Sequence, residues 1–159
     1  GIGAAATILV SSAHSKGDNK QVRHTVGIAL ILAEAVALLV LVGLILGRHY
    51  LGYIFSEDPG IIAMTALAIL PMALYQPADA LQVIYSNALR GMEDVKHMAL
   101  YACGVHLIIA PALCLLFGFG LGLEGGGIQL TAVWSAFPVS LLLLGVLLKR
   151  RFDRISIPR

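Results

Sequence analysis

Apolar residues run along this chain in solid blocks, separated by short polar stretches. Residues 25–47, 61–88, 98–121 and 128–148 are four such blocks. Each is close to or above the roughly 20 residues that cross a bilayer core of about 30 Å as a helix. Residues 1–13 form a shorter run rich in small side chains, among them Gly1, Gly3, Ala4, Ala5 and Ala6. Such faces let membrane helices approach closely. The polar stretches are 14–24, 48–60, 90–97, a Gly-rich turn from Leu121 to Gln129, and a tail at 149–159. A barrel would show period-two alternation in segments of about ten residues, and these runs are continuous. The pattern predicts an all-α, polytopic bundle of transmembrane helices. The chain opens Gly1-Ile2-Gly3, inside an apolar run and with no initiator Met or signal peptide, so it is expected to be the later part of a longer protein.

Composition agrees with a lipid bilayer as the surroundings. Of 159 residues, 58% are hydrophobic and 13% charged, and the mean hydropathy is +0.88. The net charge of +2 matters less than its placement. If loops alternate sides, 14–24, 90–97 and the tail share one side and hold ten of the eleven Lys and Arg; the other side has only Arg48. The positive-inside rule puts the ten in the cytoplasm. Tyr50, Tyr53 and Phe55 suit the aromatic belt at the opposite interface. No basic stripe interleaved with aromatics is present, so nucleic acid is not an expected partner. Cys103 and Cys114 lie eleven residues apart on one helix, about 16 Å of rise and too far for a disulfide.

The candidate chemistry lies between Tyr75 and Gly91. At about 100° per residue, Tyr75, Asp79, Gln82 and Ser86 fall in one stripe, with Gln76 beside it. Ala80, Ile84 and Ala88 fall on the other flank, with Ile69 and Ala73 upstream. Pro71 and Pro77 stand inside the same span as candidate bending points. Pro77 frees the carbonyl of Ala73 one turn earlier. A carboxylate, two amides and a free carbonyl are the parts of a cation or proton site; the bland alternative is an interhelical hydrogen bond. Glu34 is alone on its span, either a protonated acid bonded to a carbonyl or a group that handles protons or substrate. His106 is either a local contact or a relay. Counted from the basic end, Glu34, Asp79 and His106 lie at similar depth, roughly 12–15 Å at about 1.5 Å per residue. A shared polar layer is therefore expected, with Glu34 facing His106. Gly120-Leu121-Gly122-Leu123-Glu124-Gly125 matches G-x-G-x-x-G, but it closes a membrane span and follows no strand, so it is read as a turn. No nucleophile elbow, phosphate loop, triad or metal-ligand cluster is recognisable, so neither an enzyme nor a cofactor is expected.

Asp79-Ala80-Leu81-Gln82-Val83, followed by Ala88-Leu89-Arg90-Gly91 and Asp94, resembles the tenth helix and following loop of multidrug and toxic compound extrusion (MATE) transporters of the bacterial NorM-like branch. Gly1 to Asp18, with Ala5, Ala6, Val10, Gly17 and Asp18, is similar to the end of that family's eighth helix. The turn from Gly118 to Gly127 resembles the link between its last two helices. The resemblance implies twelve helices in two lobes, of which this chain is most of the carboxyl-terminal lobe: the end of helix eight at 1–13 and helices nine to twelve. It implies efflux of organic, often cationic, compounds in exchange for sodium or protons across the bacterial inner membrane. Asp79 would take part in coupling and would be the place of any sodium. Tyr75, Gln76, Gln82, Ser86, Glu34 and His106 are candidates for the surrounding cavity, although Glu34 matches no site of the family. A companion acid belongs to helix seven which, with the amino-terminal lobe, is an expected partner outside this chain. A flippase for lipid-linked oligosaccharides, from the same wider superfamily, is the alternative. Its pyrophosphate cargo calls for a cationic cavity, and these spans carry acids.

The charge split predicts that 14–24, 90–97 and the tail are cytoplasmic, and that 48–60 and 121–127 are external. Single cysteines at Ser15 and Ser56, in a background without Cys103 and Cys114, should divide cleanly under a membrane-impermeant thiol reagent. Only position 56 should label in intact cells; labelling of position 15 alone reverses the topology.

Overall fold

Helix ends in this chain are set by Asp, Gly and Pro. The structure, a computed structural model, describes residues 1–157. It contains α1 (Ile2–Ser15), α2 (Asn19–Leu51, closed by a 3₁₀ turn Gly52–Ile54), α3 (Pro59–Gly91), α4 (Val95–Gly120) and α5 (Gly126–Ser156). Asp18 caps α2, its Oδ1 accepting from the Gln21 N–H at 2.9 Å. Asp58 caps α3, accepting from Gly60 and Ile61, with Pro59 as the first helical residue, where its missing N–H costs nothing. α1 and α3 end in the same turn. Asp18 N–H donates to Ala13 O and Gly17 N–H to His14 O; Asp94 N–H donates to Leu89 O and Glu93 N–H to Arg90 O. Gly17 and Glu93 supply the left-handed residue, at φ 70° and 62°.

α2, α3, α4 and α5 are long and apolar enough to cross a membrane, so the chain is a polytopic membrane helix bundle. The helices run past their apolar blocks, α4 at its start and α2, α3 and α5 at both ends. The stretch 14–24 reduces to a turn at 16–18, and 90–97 to a turn at 92–94. The stretch 48–60 is helical up to Ile54. The tail 149–159 is a helix as far as Ser156; Pro158 and Arg159 lie outside the described residues. That extension was legible in the four-residue spacing of Leu148, Phe152 and Ser156, all buried. α4 is interrupted by two π-helical segments, Val105–Ile109 and Leu116–Gly120. The first lies just before Pro111, whose ring crowds the carbonyl of the preceding turn. At the second, Gln129 Nε2 donates to the carbonyl of Gly118 at 2.7 Å.

Among the described residues, α3 is the only helix that touches all four of the others, α1, α2, α4 and α5. It packs tightly on α1 at Gly91, where a Cβ would stand 2.7 Å from the backbone carbonyl oxygen of Thr7. Its approach to α5 is closest at Gly145, where a Cβ would stand 2.8 Å from Leu81 Cδ2. The core gathers at the basic end, around Val10, Val22, Ile84, Leu89, Leu144 and Leu148. Tyr85 and Phe152 meet there in a tilted arrangement, ring centroids 5.5 Å apart.

The same end carries an ionic clasp. Asp94 stands at the N-cap position of α4, but its side chain turns to α5: Arg151 Nε donates to Oδ2 at 2.6 Å, and His97 Nδ1 lies 2.6 Å from Oδ1. The Asp94 side chain is 13% exposed. Arg23 and Lys149 also meet Asp153, at 4.0 and 2.5 Å, but those pairs are open to solvent and weak. Burial pushes the Asp94 carboxyl up; the hydrogen bonds and charges of Arg151 and His97 outweigh it and hold the group below its ordinary value of 3.8.

Two stability outcomes follow. Gly91→Ala must part α1 from α3 and should cost about 1–3 kcal/mol. Gly27→Ala, with nothing within 4 Å of its new Cβ, should stay within about 0.5 kcal/mol of the parent. Thermal unfolding in detergent separates the two, and equal midpoints would mean the α1–α3 contact yields freely. Asp94→Asn should lose about 1.5–3 kcal/mol at neutral pH. Because the folded carboxyl titrates below the unfolded one, this contribution is present above about pH 4 and is lost as pH falls through the folded value. Parent and variant should therefore converge in acid, and an equal gap at every pH would remove the ionic origin.

Candidate functional site

Three sides of α3 have different neighbours, and this sorts its polar residues. Ala73 and Ala88 are fully buried. The stripe Tyr75, Asp79, Gln82 and Ser86 lies on another side, between the α1 and α5 contacts. Within it Gln82 Nε2 donates to Ser86 Oγ at 3.2 Å, and the Tyr75 phenol approaches the Asp79 carboxyl one turn on. Asp79 and Gln76 line a cavity of about 400 Å³ whose opposite wall is built from the start of α1 and from Ala33 to Val40 of α2. Tyr75 and Gln76 line a second cavity, about 340 Å³, against Trp134, Phe137 and Pro138 of α5. Gln76 is thus common to both.

Ala80 and Ile84 do not lie away from Asp79 as the wheel suggested; both line its cavity. The cavity axis is turned from the stripe toward α1 and α2, so the stripe's edge and the expected apolar flank share one wall.

The expected polar layer of Glu34, Asp79 and His106 is not formed. Glu34 lines a separate cavity of about 430 Å³ among α2, α3 and α5. His106 is exposed on the first π-helical segment of α4. Among the described residues, no Cα of α2 comes within 8 Å of any Cα of α4, so Glu34 and His106 do not face each other. Equal depth fixes only height along the bundle; the direction in which each helix turns its side chain decides contact. Pro71 and Pro77 both stand within an unbroken α3 and line the Glu34 cavity.

Asn87 and Thr7 were not singled out from the sequence, and Gly3 was read only as one of the small residues of α1. Asn87 lines the Asp79 cavity two turns further on, and its Nδ2 donates to the Val83 carbonyl at 2.8 Å. The Thr7 hydroxyl lies 3.0 Å from Asn87 Oδ1 and 3.1 Å from the Asn87 carbonyl oxygen. A Cβ at Gly3 would stand 2.7 Å from Asn87 Nδ2. Together they fix α1 against the cavity floor. The available signal was the four-residue spacing of Asp79, Val83 and Asn87, facing the small residues of α1.

The Asp79 and Glu34 cavities each carry one carboxyl group and no Lys, Arg or His. Such walls suit a proton or a cation and repel a phosphate or pyrophosphate group.

The profile of the MatE family matches residues 1–123. The probable multidrug resistance protein NorM of Bradyrhizobium diazoefficiens is 34% identical over 98% of this chain and 33% of its own length. Its counterpart in Neisseria meningitidis serogroup B is 28% identical over 92% of the chain and 31% of its own length. Protein DETOXIFICATION 17 of Arabidopsis thaliana is 33% identical over 92% of the chain and 30% of its own length. The chain therefore spans about a third of the length of the curated relatives it matches.

Proposed function

The chain belongs to the MatE family, and from that premise we propose that it serves ion-coupled efflux of organic, often cationic, compounds, with Asp79 as the coupling group. The names of the relatives, multidrug resistance and detoxification proteins, support the efflux reading. The observation that carries it is the position of Asp79: a lone carboxyl at membrane depth, on the helix that touches all the others, opening into a cavity without a cationic side chain. An ionisable group so placed is costly to keep and calls for a proton or a cation.

In the mechanism, Asp79 binds an inward-moving sodium ion or proton in one conformation and releases it in the other. Sodium would find oxygens on Asp79 and Gln76, which line the same cavity. The Tyr75 phenol beside Asp79 steadies the carboxylate when it is empty. Substrate and coupling ion exclude one another, so each shifts the conformational balance by its differential affinity. The membrane potential supplies about 2.3 kcal/mol per charge per 100 mV. The chain fills the place of helix eight in part and helices nine to twelve. The other lobe and helix seven complete the pathway in the plasma membrane, with the basic end in the cytoplasm. The flippase alternative gains no support, since neither carboxyl-bearing cavity offers a cation for a pyrophosphate.

Asp79→Asn should abolish coupled efflux and leave a folded protein. Asn keeps size and some hydrogen bonding, but it neither carries a proton nor holds sodium by charge. Neutralising a charge at lipid depth also eases insertion. The measurement is ion-driven drug counterflow in liposomes, with full-length protein and variant at equal reconstituted amounts. The gradient-driven rate should fall by at least about tenfold, about 1.4 kcal/mol in barrier terms, while thermal unfolding is unchanged. Equal rates would make Asp79 a structural hydrogen-bonding residue.

A further inference from the structure

α1 and α2 run side by side from the turn that joins them, and two openings lie along the seam. The first is at the basic end. Ser12 of α1, Lys16 and Asp18 of the turn, and Gln21 and Thr25 of α2 line about 340 Å³ there. The second, also about 340 Å³, is walled mostly by hydrocarbon, with Ile2, Ala5, Ile28 and Leu32 around it and His24 at one side. Leu9, Gln21 and Thr25 belong to both, so the two form one groove. Its polar part falls where residues 14–24 separate two apolar blocks, at the level of lipid headgroups. Its apolar part continues from Leu9 back to Ile2 and from Thr25 on to Leu32, seven residues on each helix. That is about 10 Å of rise toward the bilayer centre.

Three groups of the polar part lack a partner among the described residues. Lys16 takes part in none of the ion pairs. Asp18 accepts from the Gln21 N–H with Oδ1, and its Oδ2 has no donor. Thr25 is only 8% exposed, yet its hydroxyl makes no hydrogen bond among the described residues. Thr7, Thr65 and Thr131, by contrast, each donate to the carbonyl four residues earlier. A buried hydroxyl that reaches a cavity is satisfied by what fills it. The pocket therefore offers one cation, one anion and a hydroxyl, and its charge sums to zero. Water or a free phosphate can occupy this end, but either leaves the hydrocarbon groove bare. A phospholipid fills both parts. Its phosphate diester accepts from Lys16 and Thr25, and an ammonium headgroup donates to Asp18 Oδ2. Choline carries no N–H for that oxygen. A glycerol headgroup brings no cation to Asp18 and adds a net negative charge to a neutral pocket. Ethanolamine meets both requirements.

We infer that the groove between α1 and α2 is a binding site for a phospholipid with an ethanolamine headgroup. The phosphate lies on Lys16 and Thr25, the ammonium on Asp18, and one acyl chain along Leu9, Ile28 and Leu32. The inference does not rest on the role of Asp79, since the groove shares only Ile2 with the cavity of that residue.

The test uses full-length protein in nanodiscs of phosphatidylcholine with a small fraction of phosphatidylethanolamine that carries a diazirine in one acyl chain. After photolysis the labelled peptides are mapped. Label should concentrate on residues 2–9 and 28–32. Unlabelled phosphatidylethanolamine should displace it at least about tenfold more effectively than phosphatidylcholine or phosphatidylglycerol. Asp18→Asn keeps an N-cap for α2 but removes the anion, so the preference over phosphatidylglycerol should vanish. Lys16→Gln should cut groove labelling, again by about tenfold. Leu9→Trp, at the exposed junction of the two parts, should block the groove with both charges in place. Charge and shape are thus read by separate variants, and any one that fails to fold leaves the others. An unlabelled groove would mean that another helix of the full-length protein covers it. Equal displacement by all three lipids would mean ordinary boundary lipid. Displacement by glycerophosphoethanolamine as effective as by the lipid would mean a site for a soluble phosphate. Labelling that ignores both Lys16→Gln and Asp18→Asn would remove headgroup recognition. Each of these four results overturns the inference.

Discussion

Acyl chains are as apolar as leucine, so nothing in a bilayer drives one apolar helix onto another; close packing does. In this bundle the closest packing is made along α3. Gly91 comes within a missing Cβ of the Thr7 carbonyl, Gly3 within one of Asn87, and Gly145 within one of Leu81. Ala73 and Ala88 are buried between these points. The contacts concentrate at the basic end, where the core residues and the Asp94–Arg151 clasp also lie. The Asp79 and Glu34 cavities open on either side of α3. The small side chains of α1 and α3 thus set both the grip and the voids.

The prolines are tolerated for the same reason. Pro71 and Pro77 remove two donors from the ladder of α3, yet the helix runs unbroken from Pro59 to Gly91. Neighbouring helices hold it on several sides, so the freed carbonyls are sheltered rather than frayed. Pro111 in α4 has fewer neighbours, and there the helix yields instead, widening into a π-helical segment. The same residue type therefore produces acceptors along a cavity in one helix and a change of pitch in another.

α3 also separates two carboxyl groups. Asp79 belongs to a cavity closed by α1 and α2, and Glu34 to one closed by α2, α3 and α5. Pro77 and Ala78 line the second cavity while Asp79 and Ala80 line the first. Movement of that single turn of α3 changes both cavities at once. A charge change on one side is in this way mechanically close to the other, without any direct contact between the acids.

Much of this was legible from residues alone. Solid apolar runs, with no alternation, leave the helix as the structure that satisfies its own backbone in lipid. The stripe around Asp79 followed from helical spacing, whereas the starts of α2 and α3 at Asp18, Asp58 and Pro59 lay in stretches read as loops. The resemblance carried by Asp79-Ala80-Leu81-Gln82 and Leu89-Arg90-Gly91 points to the MatE family by residues alone. What residues could not supply was direction. Depth can be counted along a chain, and Glu34, Asp79 and His106 were counted to one level. The side on which each helix meets its neighbours depends on contacts between residues far apart in sequence, such as Gly91 with Thr7 and Gly145 with Leu81. Those contacts turned Glu34 away from His106, placed Ala80 beside Asp79, and brought Asn87 and Thr7 to the same wall. The sequence by itself determined the helices, their approximate span of the membrane and the chemistry they carry; only packing decided which chemistry shares a cavity.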